Sequence, residues 1–141
     1  KKVTSLPVMV TMTFQQTPKG FYTLMGNRVP EVARELEKAG ADIVGSNCGS
    51  GIITMISIAK ECRAATSLPL IIQANAGLPT MTAEKALYPE PPELFGQKTK
   101  ALIEAGVSII GGCCGTTPAH IHAMRKALEV NCFPGAEIIE V

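Results

Sequence analysis

Short apolar runs alternate along the chain with longer segments whose apolar positions recur at helical spacing, and Gly or Pro marks each change of period. The pattern predicts four strand-then-helix units. The first strand covers residues 7–13; its helix begins near Pro30, where a proline suits the first turn, and stops at Gly40. Residues 41–46 form the second strand, and the helix after it, about residues 52–65, lines up Ile52, Met55, Ile56, Ala59 and Cys62 on one face. The third strand, residues 70–75, leads through a loop rich in Pro, Gly and Thr to a helix over about residues 92–105. Residues 107–112 are the fourth strand and residues 118–130 its helix.

The units repeat in pairs. At an offset of 66, Leu36 matches Leu102, Ala39 matches Ala105, Gly40 matches Gly106, Ile43 matches Ile109, Gly45 matches Gly111, Cys48 matches Cys114 and Gly49 matches Gly115. Thr4-Ser5-Leu6-Pro7 matches Thr66-Ser67-Leu68-Pro69 at an offset of 62, each opening an apolar strand. Near-continuous apolar strands alternating with helices call for a parallel sheet covered by helices, an α/β fold. Four βα units make half of a (β/α)8 TIM barrel, and an open doubly wound sheet is the alternative. Polar and thiol residues at several strand ends (Thr11, Thr13, Cys48, Asn75, Cys113, Cys114) favour the half barrel, because a ring of loops brings them to one centre. A free half barrel leaves two strand edges unpaired, so self-association or a missing amino-terminal half is expected to cover them.

Composition narrows the function. A chain of 141 residues, 46% hydrophobic and 18% charged, has the size and make-up of one globular domain, residues 1–141, and excludes disorder. Thirteen basic and twelve acidic residues are scattered without runs, so no field draws nucleic acid or an anionic membrane, and the expected partner is a small molecule. No apolar stretch is long enough to cross a bilayer and no charged-then-apolar leader opens the sequence. Five cysteines do not form the even framework of a small secreted scaffold, which points to reduced thiols and a cytoplasmic setting.

Three of those cysteines stand where chemistry is expected. Cys113 and Cys114 lie in Gly111-Gly112-Cys113-Cys114-Gly115-Thr116-Thr117-Pro118, between the last strand and the last helix, and Cys48 lies at the repeat-equivalent place in Gly45-Ser46-Asn47-Cys48-Gly49. Zinc takes thiolates from converging elements, and three of them leave its fourth position open to an incoming thiol. The competing readings of the pair are small core residues or a vicinal disulfide. Cys62, on an apolar helix face, reads as core; Cys132 reads as a free thiol without a role; His120 and His122 read as solvated or capping residues at the start of the last helix. Asn47 and Asn75 are candidates for orienting a ligand or holding substrate, with turn formation the competing role.

These motifs resemble the homocysteine S-methyltransferases, a family of zinc-dependent (β/α)8 barrels. The resemblance is carried by Gly45-Ser46-Asn47-Cys48, by Asn75-Ala76-Gly77-Leu78-Pro79 and by Gly111-Gly112-Cys113-Cys114-Gly115-Thr116-Thr117-Pro118-Ala119-His120-Ile121. It spans nearly the whole chain but only the carboxyl-terminal half of the family's domain. It implies that Cys48, Cys113 and Cys114 are zinc ligands and that the activity is methyl transfer to the thiol of homocysteine, giving methionine. It also implies that the family's amino-terminal half, which supplies much of the grip on the homocysteine amino and carboxylate groups, has no counterpart here. Thr13-Phe14-Gln15-Gln16-Thr17-Pro18-Lys19-Gly20 is closer to the corrinoid-linked, methionine synthase-like members, which implies methylcobalamin, on a corrinoid protein or domain, as methyl donor. Two other functions compete: a non-catalytic fragment whose zinc only ties strand ends together, its fourth position closed by His120, and a phosphate-binding barrel with incidental cysteines.

Overall fold

The computed structural model describes residues 5–82 and 86–131. Its centre is a sheet of four parallel strands, β1 (Met9–Met12), β4 (Ile43–Gly51), β5 (Leu70–Asn75) and β8 (Val107–Gly112), in the spatial order β1-β4-β5-β8. The order follows the sequence without reversal, so the sheet has no switch point of the doubly wound kind. Helices α1 (Val29–Lys38), α2 (Ile52–Arg63), α3 (Pro92–Glu104) and α4 (Pro118–Asn131) follow the strands in turn. The four expected strands and helices are all present, with ends that differ by a few residues.

The core lies between the sheet and the helices. Val44, Leu70, Ile72 and Ala74 alternate along β4 and β5 on one face and meet Ile52, Met55, Ile58 and Cys62 of α2 and Phe95 and Leu102 of α3. Cys62 is 3% exposed, and burial pushes its thiol up to about 12, which is the behaviour of the core residue expected from its helix face. The opposite sheet face is less covered: Met9 is 57% exposed and Ile109 37%.

Two hairpins were not anticipated. β2 (Gln15–Thr17) pairs antiparallel with β3 (Gly20–Tyr22) across Pro18-Lys19, and β6 (Thr80–Met81) pairs with β7 (Ala86–Leu87) inside the long loop after β5. Both are short and largely exposed, so neither leaves the apolar alternation by which strands are recognised. Cys132 lies outside the described residues, as does Thr4 of the Thr-Ser-Leu-Pro repeat.

Candidate metal centre

The sulfurs of Cys48, Cys113 and Cys114 all lie within 4.8 Å of one another. Cys48 and Cys114 are 3.8 Å apart, and Cys113 and Cys114 are 4.0 Å apart. A tetrahedron with metal–sulfur bonds of about 2.3 Å has sulfur–sulfur edges of about 3.8 Å. The donor set therefore fits a four-coordinate soft metal, with these three sulfurs on one triangular face. Among the described residues no other His, Asp or Glu joins the group.

Cys48 and the vicinal pair are not on adjacent strands. An offset of 66 spans two βα units, so β5 runs between β4 and β8, and the sulfurs close over its carboxyl end. A bulge on β4 makes this reach feasible. Asn47 pairs with Gln73 and Gly51 with Asn75, so three residues of β4 oppose one of β5. Cys48 itself has φ 58 and Gly49 φ 72, two successive left-handed residues. A side chain at Gly49 would put its Cβ 2.7 Å from the Phe14 carbonyl oxygen, so only glycine fits beside the outlying cysteine.

The Cys113-Cys114 turn is held by backbone and hydroxyl bonds. Cys113 N–H donates to the Ala74 carbonyl at 2.8 Å, the Thr116 hydroxyl donates to the Cys113 carbonyl at 2.7 Å, and Ala76 N–H donates to the Cys114 carbonyl at 2.9 Å. Asn75, 4% exposed at the end of β5, sits under the cluster: its Oδ1 accepts from Cys114 N–H at 3.1 Å, and its amide also bonds the Cys48 sulfur. Both polar ends of that side chain are thereby directed at the cysteines. Asn47 is half-buried, and its carbonyl accepts from the Thr13 hydroxyl at 3.1 Å.

Electrostatics separate the thiols. Partial burial pushes the Cys48 thiol up, but hydrogen bonds from Gly49 N–H and from the side chains of Cys114, Asn75 and Cys113 outweigh it and leave Cys48 below the ordinary thiol range. Cys114 moves up, because its thiol bonds Cys48 and Cys113 and faces their charge. Cys48, Cys62, Cys113 and Cys114 are all free, so no vicinal disulfide is formed.

His120 takes no part in the cluster. It is buried, its Nδ1 accepts from Thr117 N–H at 3.1 Å, and its Nε2 therefore carries the proton and donates to the Glu90 carbonyl at 3.0 Å. Its ring packs edge-on against Phe95 at 4.9 Å. Of its two expected roles, capping is found and solvation is not, and with both nitrogens engaged it does not close a fourth metal position. His122 is exposed. Nor is the end of α2 an anion cradle: Ile52 N–H donates to Glu90 Oε2 at 2.9 Å, so the helix terminus already holds a carboxylate. A cleft of about 560 Å³ opens beside Gly49, with Gln15, Gln16, Thr54, Leu78 and Glu90 in its walls. Glu90 lies in the long loop before α3, where no motif or spacing marked it.

Residues 1–128 match the model of the homocysteine S-methyltransferase family. Methionine synthase from Mycobacterium leprae (strain TN) is 34% identical over 124 residues, and that of Mycobacterium tuberculosis (strain ATCC 25618 / H37Rv) is 33% identical over 124 residues. Each alignment covers 87% of this chain and 10% of the relative, so the chain spans about a tenth of those proteins. Among solved structures, the homocysteine methyltransferase MmuM from Escherichia coli in its metallated form superposes with a TM-score of 0.64 at 22% identity over 85% of this chain and 35% of that one. Its apo form gives 0.62 at 20% identity over 86% and 39%. At these identities the likeness establishes a shared α/β fold.

Proposed function

The chain belongs to the homocysteine S-methyltransferase family, and on that premise we propose that it carries the zinc-bearing half of a methyltransferase that converts homocysteine to methionine. The observation that carries the proposal is the triangle of sulfurs from Cys48, Cys113 and Cys114, all within 4.8 Å of one another and with two edges of 3.8 and 4.0 Å, which suits a tetrahedral metal. Zinc bound there would lower the pKa of a substrate thiol, so that a thiolate nucleophile exists at neutral pH.

The chain's own side chains prepare that chemistry. Cys48, Cys113 and Cys114 supply the ligand charge, and the left-handed pair at Cys48-Gly49 brings the first of them across β5. Asn75 is assigned the task of orienting two of the ligands, since its buried amide is engaged by Cys114 and Cys48. Asn47 is kept as a candidate substrate contact at the same strand end. No protein base is needed to activate the acceptor, which agrees with the absence of any His, Asp or Glu from the cluster among the described residues.

The four-stranded sheet is read as one half of an eight-stranded barrel, an interpretation supported by its unreversed strand order and its partly bare second face. The corrinoid donor, supplied by a corrinoid protein or domain, is supported by the segment from Thr13 to Gly20 in a chain whose relatives are methionine synthases. No helix among the described residues is long and apolar enough to cross a membrane, and the reduced cysteines support a cytoplasmic setting.

The test is metal analysis of the reduced protein after dialysis against a chelator. One zinc per chain in the wild type, lost in Cys114→Ala, is expected. Stoichiometric zinc in Cys114→Ala would overturn the ligand assignment.

A further inference from the structure

The cleft beside Gly49 is not explained by the sulfur cluster, and its chemistry is set by Glu90. This residue is fixed at three points. Its N–H donates to the Ala76 carbonyl at 3.0 Å, its carbonyl accepts from His120 Nε2 at 3.0 Å, and its Oε2 accepts from Ile52 N–H at 2.9 Å. The carboxylate can lie this close to the strand end only because position 51 has no side chain: a Cβ at Gly51 would stand 1.9 Å from Oε1. A helix terminus and a strand-end glycine thus receive the Glu90 carboxylate, while a buried histidine holds its backbone carbonyl.

The consequence is a cleft of defined sign. The amino end of α2 would attract an anion if it were open, but Glu90 fills it and offsets its partial positive charge. Among the described residues no Lys or Arg lines the cleft. Its volume of about 560 Å³ lies in the range of small-molecule sites. Gly51 is three positions along the chain from Cys48, at most about 10 Å of extended backbone. A small molecule reacting at the cysteine cluster can therefore place another of its groups here.

We propose that Glu90 anchors a positively charged group, an ammonium or a sulfonium, of a small molecule bound beside the cysteine cluster. The proposal rests on the methyl-transfer reading and extends it, since the acceptor brings such a group in its α-ammonium, and a small donor in place of the corrinoid would bring one in the charged atom that bears the methyl.

Glu90→Gln is the informative variant, because the amide keeps an oxygen for Ile52 N–H while the charge is removed. Backbone amide shifts of Gly49, Ser50 and Gly51 in the reduced full chain, with and without added zinc, are followed during titration with L-homocysteine, with its deaminated analogue 4-mercaptobutanoate and with trimethylsulfonium. If the acceptor supplies the cation, the wild type binds homocysteine about tenfold more tightly than 4-mercaptobutanoate, a difference that one charge-assisted contact accounts for. Glu90→Gln then loses that preference. If the donor supplies it, the two thiols bind alike, and trimethylsulfonium shifts the three amides in the wild type but not in Glu90→Gln. The wild-type comparison of the two thiols with trimethylsulfonium stands even if the variant folds poorly. Absence of any charge preference in the wild type, or a preference that survives in well-folded Glu90→Gln, overturns the proposal. Failure of the wild type to hold zinc would instead count against the methyl-transfer reading, and the two failures are told apart by the metal content of each sample.

Discussion

Asn75→Ala tests whether the cluster is organised from beneath. The substitution removes an acceptor from Cys114 N–H, 3.1 Å away, and a donor from the Cys48 sulfur, at a site 4% exposed to solvent. An unpaired backbone N–H at such a site costs about 1–3 kcal/mol, and a lost hydrogen bond to a charged sulfur about 1.5 kcal/mol or more. The first loss is felt with and without metal and lowers stability, so only the second weakens zinc binding: at about 1.4 kcal/mol per factor of ten it predicts a loss of about tenfold, at the lower end of what residues supporting metal ligands contribute. Competition with a chromophoric chelator at constant pH measures the affinity, and thermal unfolding of the metal-free protein separates it from global stability. Asn75→Asp is the control: it keeps an oxygen for Cys114 N–H but replaces the donor to Cys48 with a negative charge, so it should bind zinc no better than Asn75→Ala. Wild-type zinc affinity in Asn75→Ala would show that Asn75 merely fills space under the loops.

Cys48→Ala should lose zinc as Cys114→Ala does, while Cys62→Ala retains it, as read by metal analysis; equal loss from all three would mean that the thiols bind metal without a defined site. In the metal-free reduced protein Cys48 is expected to be alkylated by iodoacetamide at lower pH than Cys114, since its pKa is lowered and that of Cys114 raised, and mass spectrometry of the modified peptides at stepped pH checks the order. Cys62 titrates near 12 when folded and near an ordinary thiol value when unfolded, so the folded state holds the extra proton: its contribution is complete below about pH 8.5 and fades as pH rises towards 12, at up to about 1.4 kcal/mol per pH unit. Urea unfolding of wild type and Cys62→Ala at pH 8 and pH 10 should show the steeper decline in the wild type. With β1 and β8 at the sheet edges and Met9 and Ile109 exposed, the isolated chain should self-associate, and a monodisperse monomer in sedimentation velocity would contradict that.

The sequence was most informative where periodicity and punctuation agreed. The four sheet strands and four helices follow from runs such as residues 70–75 and from Pro30, Pro92 and Pro118 at helix starts, and the three cysteines stood out because glycines surround them at strand ends. What could not be read depends on contacts distant in sequence. The pairing of Gln73 with Asn47 and of Asn75 with Gly51, which defines the bulge, is a relation between two strands, and neither strand alone records it. Likewise nothing in Tyr88-Pro89-Glu90-Pro91 indicates that its carboxylate ends on Ile52, 38 residues away, or that His120 of the last helix holds the Glu90 carbonyl. The offset of 66 correctly paired Cys48 with Cys114, but strand order was needed to show β5 between them.

The core and the sulfurs occupy different parts of the molecule. Val44, Leu70, Ile72 and Phe95 pack between sheet and helices, whereas the cysteines crown the far end of β5, tied to it by Asn75 and the Ala74 and Ala76 backbones. Emptying the crown removes no apolar contact from the interior. On the proposed zinc reading, the site can release its ion without unfolding the chain, unlike small domains that fold only around their metal. A chain stripped by chelation should keep its helical circular dichroism and recover its full complement when zinc is returned, which makes it a vessel that can be refilled with other soft cations to probe the same three sulfurs.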